Sequence, residues 1–229
     1  MELASLTEPM ELTEPMELPE PMDLAEVRAV LLDMDGTLVD SDAAVERAWR
    51  TWAGEFGVDP GSALAIAHGS PAELTVRRLR PDLAAGAVVA AAARQLALQY
   101  DDVSDVTAAP GAHELLSALD RLRLAWAVVT SADTELARIR LAAAGVVAPV
   151  LVTVDDVRAG KPDPEGYRQA ASRLATDPGH CLVVEDAEPG VVAGQAAGAL
   201  VAALKGVPAD LQIDDLHQLA RLLEQASRG

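Results

Sequence analysis

Val27-Arg28-Ala29-Val30-Leu31-Leu32-Asp33-Met34-Asp35-Gly36-Thr37-Leu38-Val39-Asp40-Ser41 is the stretch on which the reading of this chain turns. An apolar run broken only by Arg28 stops at Asp33, and two carboxylates, a glycine and a threonine follow within five positions. A run this short, partly β-branched and ended by turn residues, predicts a buried strand. Ligands of open α/β sheets bind beyond the carboxyl ends of strands, so Asp33 and Asp35 fall where a functional loop is expected. The same residue types also suit a capped turn in which Asp and Gly serve only the backbone.

Similar apolar runs recur at 125–130, 149–154, 181–184 and 200–204, most of them followed closely by Gly, Asp or Pro. Helical periodicity returns between them at 112–123, 134–144, 164–174, 189–197 and 214–226. Asp133 is placed to cap the second of these helices and Gly145 to end it. Strands alternating with helices predict an α/β fold, a parallel sheet with helices on both faces. Residues 43–107 break the alternation: they hold helical, Ala-rich material at 43–56, 72–79 and 84–100, and no convincing strand. They read as a helical insertion after the first strand, and Pro110-Gly111 marks the return to the βα pattern.

The 229 residues, half of them apolar, suffice for one sizeable domain with a smaller insertion. Acids outnumber bases 36 to 18, a balance that argues against a nucleic-acid partner. Eight of the acids lie in residues 1–26, a Pro-rich near-repeat of Leu-Thr-Glu-Pro-Met-Glu without Lys or Arg, which predicts an acidic, disordered tail. No apolar run reaches the roughly 18 residues that span a bilayer, and no secretory signal is evident. Cys181 is the sole cysteine and cannot form an internal disulfide, which suits a reducing compartment. The expectation is a cytoplasmic protein without a membrane or an obligate protein partner.

Three further features join the first loop. Thr130-Ser131 follows the run at 125–129; Lys161 lies in Gly160-Lys161-Pro162-Asp163-Pro164 before a helix; Glu185-Asp186 directly follows 181–184. Singly they pass for a hydroxyl cap, a solvated lysine and an acidic helix start. Together they set carboxylates, a hydroxyl and an ammonium along one predicted sheet edge.

Asp33-x-Asp35-Gly36-Thr37, Thr130, Lys161 and Glu185-Asp186, in that order, resemble the four motifs of the haloacid dehalogenase-like hydrolases, and the resemblance covers residues 27–229. The helical insertion resembles the small cap of the sugar-phosphatase and β-phosphoglucomutase-like branch. The resemblance implies a Rossmann-like, doubly wound core at 27–42 and 108–229, with a cap at 43–107. It implies Asp33 as a nucleophile that forms a phosphoaspartate, and Asp35 as the acid and base for the leaving alkoxide and the attacking water. A hydroxyl leaving group needs that proton and a halide does not, so the second carboxylate favours phosphoryl chemistry over dehalogenation.

Mg²⁺ is the implied cofactor, held by Asp33, Asp35 through its backbone carbonyl, and Asp186, with Glu185 acting less directly or through a bound water. Lys161 and Thr130, with the Ser131 N–H, are expected on the phosphoryl oxygens. The implied partner is a small phosphorylated metabolite, a sugar or polyol phosphate, with His68 and Arg77 as cap residues able to contact it. A phosphosugar mutase and a non-catalytic phosphate-binding protein are the alternatives. Trp49 and Trp52, three apart, are expected to pack against the core rather than to stack on a ligand.

Overall fold

The computed structural model describes residues 24–67 and 70–228. Strand β1 (Ala29–Leu32) is followed by a short strand β2 (Val39–Asp40) and four helices, α1 (Asp42–Phe56), α2 (Pro60–Ala67), α3 (Ala72–Leu79) and α4 (Ala85–Tyr100). Strand β3 (Thr107–Ala108) then leads through α5 (Ala112–Leu122), β4 (Ala125–Val129), α6 (Thr134–Ala143) and β5 (Leu151–Val152). The chain ends with α7 (Glu165–Arg173), β6 (Cys181–Glu185), α8 (Glu188–Ala197), β7 (Leu200–Ala203), β8 (Leu211–Gln212) and α9 (Leu216–Ala226).

Six strands form one sheet in the order β5-β4-β1-β6-β7-β8, and every pairing is parallel. From β1 the chain builds outward through β4 and β5, then returns to the other side of β1 to lay down β6, β7 and β8. The crevice above β1, β4 and β6 is therefore the switch point where such sheets bind ligands. All five apolar runs identified in the sequence fall on strands of this sheet. The run at 149–154 contributes only Leu151–Val152, because a 3-10 turn at Val154–Asp156, capped by Thr153, takes its end. The two-residue strand β8 is too short to show any alternation.

Side chains alternate across the sheet with the two-residue period of a strand. Val30, Leu32, Val128, Leu182 and Val184 join one apolar cluster with Leu115 and Leu119 of α5, Leu136 of α6, and Leu216 and Leu219 of α9. Ala29, Leu31, Ala127, Cys181 and Val183 join the other with Tyr167 and Ala170 of α7 and Val191 and Ala193 of α8. Helices thus cover both faces, as the βα alternation predicts.

The four helices α1–α4 gather a third cluster of their own around Trp49, Trp52, Ala63, Val76 and Val88. Trp52 stacks on Phe56 at 4.6 Å between ring centroids and donates its indole N–H to the Ala91 carbonyl at 2.8 Å. Trp49 and Trp52 therefore pack within the helical insertion rather than against the core sheet. Helix α2 is unexpected from sequence because Pro60–Ala67 is apolar nearly all round and shows no stripe. The insertion is flanked by an antiparallel ribbon in which β2 pairs with β3, Val39 opposite Ala108.

Residues 1–23 of the expected acidic tail lie outside the described residues. Leu24–Glu26, assigned to that tail by composition, instead form a 3-10 turn, and Leu24 packs against the larger apolar cluster. No described helix is long and apolar enough to cross a membrane.

Candidate active site

Strand β1 delivers Asp33. Its N–H still follows the sheet ladder and donates to the Val184 carbonyl at 2.9 Å, and its side chain emerges at the switch point only 7% exposed. The chain then reverses tightly: the N–H groups of Leu38 and Val39 both donate to the Met34 carbonyl, at 2.9 and 2.8 Å. Gly36 makes this turn at φ +81°, and a Cβ there would lie 2.1 Å from Asp186 Oδ2. Any side chain would both strain the loop and push Asp186 away.

Lys161 arrives from the loop before α7, 8% exposed. Its ammonium donates to Asp33 Oδ1, to Glu185 Oε1 at 2.6 Å and to the Val129 carbonyl at 3.0 Å. It also lies 5.2 Å from the centroid of the Tyr167 ring, whose hydroxyl donates to the same Glu185 oxygen. Glu185 itself is 1% exposed at the end of β6. Its carboxylate fits because residue 190 on α8 is glycine: a Cβ there would fall 1.8 Å from Oε1.

Burial pushes the Asp33 carboxyl well above the usual carboxylate range against the opposing pull of Lys161, and Glu185 and Asp186 add to the push. Burial also works against the Lys161 ammonium, but Asp33 and Glu185 outweigh it and raise its pKa. Asp186 is raised by burial too, opposed by Lys205, whose Nζ lies 3.0 Å from Asp186 Oδ2. The cluster is thus a set of crowded carboxylates short of positive charge. Asp33, Glu185 and Asp186 each bring an oxygen to within 4.8 Å of the others, a hard-donor set suited to a divalent cation such as magnesium.

Asp35 turns its carboxylate away from that cluster. Oδ1 accepts from Ser41 Oγ at 2.6 Å and pairs with Arg140 Nη1 at 2.7 Å. Thr130 Oγ1 accepts from the Ala132 N–H at 3.0 Å, a turn cap that leaves the hydroxyl proton free to donate. Ser131 Oγ is buried without a partner among the described residues. Asp33, Asp35, Thr130 and Ser131 share the wall of a cavity of about 500 Å³ with Trp49 of α1, Gln95 and Gln99 of α4, and Arg140 of α6.

The expected cap contacts fare differently. Arg77 is exposed, pairs with Glu73 at 2.6 Å one turn back on α3, and does not line this cavity. His68 lies outside the described residues. Sequence reading missed Arg140, Lys205, Tyr167, Gln95 and Gln99. For two of them a signal existed: Arg140 follows Leu136 by four, and Gln95 follows Val88 and Ala91 by seven and four, so each polar side chain sits on the buried face of its helix.

Cys181 is fully buried at the start of β6, and burial pushes its thiol up to about 11. Iodoacetamide at about pH 8 is expected to leave it unmodified in the native protein and to label it fully after unfolding. Mass spectrometry reads the difference, and rapid native labelling would contradict this placement.

Residues 27–198 match the haloacid dehalogenase-like hydrolase family. The chain is 40% identical over 200 residues to hexitol phosphatase A of Escherichia coli, covering 86% of this chain and 92% of that protein. It is 36% identical over 190 residues to 2-deoxyglucose-6-phosphate phosphatase 1 of Saccharomyces cerevisiae, covering 74% of this chain and 76% of that one. A crystal structure of a hydrolase from Pseudomonas syringae superposes with a TM-score of 0.79 at 25% identity, over 87% of this chain and 98% of that one.

Proposed function

The chain belongs to the haloacid dehalogenase-like hydrolases, and from that premise we propose that it is a Mg²⁺-dependent phosphatase of a small sugar or polyol phosphate monoester. The observation that carries the reading is the convergence on Asp33: an ammonium from the loop before α7 and two carboxylates from the end of β6 meet it at one sheet edge. The similarity to phosphatases of hexitol and deoxyglucose phosphates supports the substrate class.

A phosphate monoester resists attack because the nucleophile meets negative charge. Asp33 attacks phosphorus and forms a phosphoaspartate, while the P–O bond to the alcohol breaks. Asp35 gives its proton to the departing alkoxide. Ser41 and Arg140 both hold Oδ1 of Asp35, which leaves Oδ2 for that transfer. Asp35 then takes a proton from the water that attacks phosphorus, and the acyl phosphate splits to inorganic phosphate and free Asp33. Lys161 and the Thr130 hydroxyl, with the Ser131 N–H, hold the phosphoryl oxygens throughout.

Asp33 and Asp186, with the Asp35 carbonyl and Glu185 behind them, would hold Mg²⁺, which supplies positive charge for the phosphoryl oxygens. Lys161 and Tyr167 already occupy one oxygen of Glu185, so its part is to orient Lys161 and its neighbours. The helices of residues 43–107 act as the cap and enclose the alcohol, while residues 27–42 and 108–229 carry the reacting groups.

Phosphate release across sugar, polyol, glycolate and nucleotide monophosphates tests the reading. Free phosphate from a sugar or polyol ester is the expected product; an isomeric sugar phosphate without release would identify a mutase instead. Chelation with EDTA is expected to abolish release and added Mg²⁺ to restore it. Asp186→Asn should raise the Mg²⁺ concentration needed for half-maximal rate by about tenfold or more. Full activity in EDTA, or an unchanged Mg²⁺ requirement in that variant, would remove the metal from this site.

A further inference from the structure

Both ends of the helical insertion converge on one oxygen of the proposed acid and base. Ser41, which precedes α1, donates its hydroxyl to Asp35 Oδ1 at 2.6 Å. Near the end of α4 the link is indirect. Arg140 Nη1 pairs with the same Asp35 oxygen at 2.7 Å, while its Nη2 donates to Gln99 Oε1 at 2.6 Å. Gln99 Nε2 donates to Gln95 Oε1 at 2.7 Å, one turn back on α4, so the Gln99 amide is held from both sides. The next residue, Tyr100, donates its hydroxyl to Asp133, the N-cap of α6. The last turn of α4 is thus fastened to α6 at two points.

Stability does not account for Arg140. It is 2% exposed and shares the buried face of α6 with Leu136, Ala137 and Leu141. Its Nε has no acceptor among the described residues. A buried guanidinium with one carboxylate and an unmet donor gains little over an apolar side chain of similar size. Such a break in an apolar pattern is expected where a side chain serves a site. What Arg140 does fix is Asp35, whose side chain is 25% exposed and so still open to the cavity. Two donors on Oδ1 leave no place there for a proton, so the protonated acid carries it on Oδ2.

We propose that Arg140 and Gln99 are positioning residues for the general acid: Gln99 of the inserted helix α4 holds Arg140, and Arg140 aims Oδ2 of Asp35 at the leaving oxygen. As Asp33 bonds to phosphorus, the P–O bond to the alcohol breaks and its oxygen takes the Oδ2 proton, which an aligned acid delivers. The inference rests on the phosphatase reading of this site and adds how the insertion acts on the proton transfer.

A leaving group that needs no proton isolates this role. Wild type, Arg140→Met, Gln99→Met and the double variant are compared on a hexitol phosphate and on p-nitrophenyl phosphate, whose phenolate departs unprotonated at neutral pH. The readout is kcat/KM, which covers the steps up to loss of the alcohol, so the later work of Asp35 as a base does not enter. On the hexitol ester the expected loss is about 10²-fold for Arg140→Met and about tenfold for Gln99→Met, each at least about fivefold greater than on the aryl ester. The double variant should be no slower than Arg140→Met, because Gln99 acts through Arg140. Arg140→Lys, which keeps a cation for Asp35, should recover part of the loss. Equal losses on both esters, or none, would overturn the proposal and leave the two side chains a structural pair. Losses that multiply in the double variant would overturn the part given to Gln99. Should Arg140→Met not fold, Gln99→Met and Arg140→Lys decide the same comparison. Wild-type protein that hydrolyses neither ester would instead remove the phosphatase reading, and the proposal with it.

Discussion

Asp33→Asn is expected to release phosphate at least about 10⁴-fold more slowly than wild type from every ester the wild type hydrolyses, while the protein stays folded. The side chain keeps its shape but loses the negative charge that the proposed mechanism aims at phosphorus, and no neighbour is placed to replace it. Glu185 is tied to Lys161 and Tyr167, Asp186 lies against Lys205, and Asp35 is held by Ser41 and Arg140. Stability should change little, within about 1 kcal/mol, because two effects oppose one another. The substitution removes the contact with Lys161, but it also removes a carboxylate whose burial cost is the largest influence on its titration. Lys161 keeps Glu185 as a partner at 2.6 Å. Phosphate release and the thermal midpoint, measured on one preparation, check both halves. Residual turnover above about one part in 10³ would mean that another group attacks phosphorus.

Strands β1, β4, β6 and β7 were legible because four or five residues are enough to show where a strand ends, whereas the two-residue β8 was not. The run at 27–32 stops at Asp33, and that at 181–184 stops at Glu185-Asp186, so sequence alone set these carboxylates beyond the ends of two strands; the pairing of β1 with β6 is what makes them neighbours. The ribbon of β2 and β3 has two residues on each side, too few for any alternation to appear. The hydrogen bonds from Arg140 Nη2 to Gln99 Oε1 and from Gln99 Nε2 to Gln95 Oε1 show the same limit for side chains. Helical phase could place Arg140 and Gln95 on buried faces, yet it could not show that α4 and α6 face each other across one cavity. That juxtaposition depends on how the four inserted helices lie over the sheet, which hydrophobic periodicity does not encode. Lys205 was hidden for another reason: it follows β7 by two residues, and only the pairing of β7 with β6 brings it to Asp186.

Lys161→Met should cost more stability than Asp33→Asn, because it removes a proposed phosphate ligand and unbalances the fold at once. The ammonium is the cation shared by Asp33 and Glu185, two carboxylates exposed by 7% and 1%. Methionine fits the volume and leaves both acids without that partner, which should destabilise the protein by about 3–5 kcal/mol. Part of the loss is relieved when an acid takes up a proton, which places the expected cost toward the lower end of that range. The sign with pH follows from the wild type. Lys161 has a raised pKa in the fold, so the stability it contributes is fully present below the ordinary lysine value of about 10.4 and fades only as pH climbs through the folded value. The deficit of the variant should therefore be evident through neutral pH, narrowing in acid as Asp33, whose pKa burial raises, takes up a proton, and in strong alkali as the wild-type ammonium loses its own. Denaturant unfolding at several pH values measures it, and phosphate release should fall by at least about 10³-fold in whatever fraction remains folded. A variant as stable as wild type would mean that the two carboxylates do not depend on this ammonium. A stable and active variant would break the link between Lys161 and Asp33 on which the catalytic reading rests.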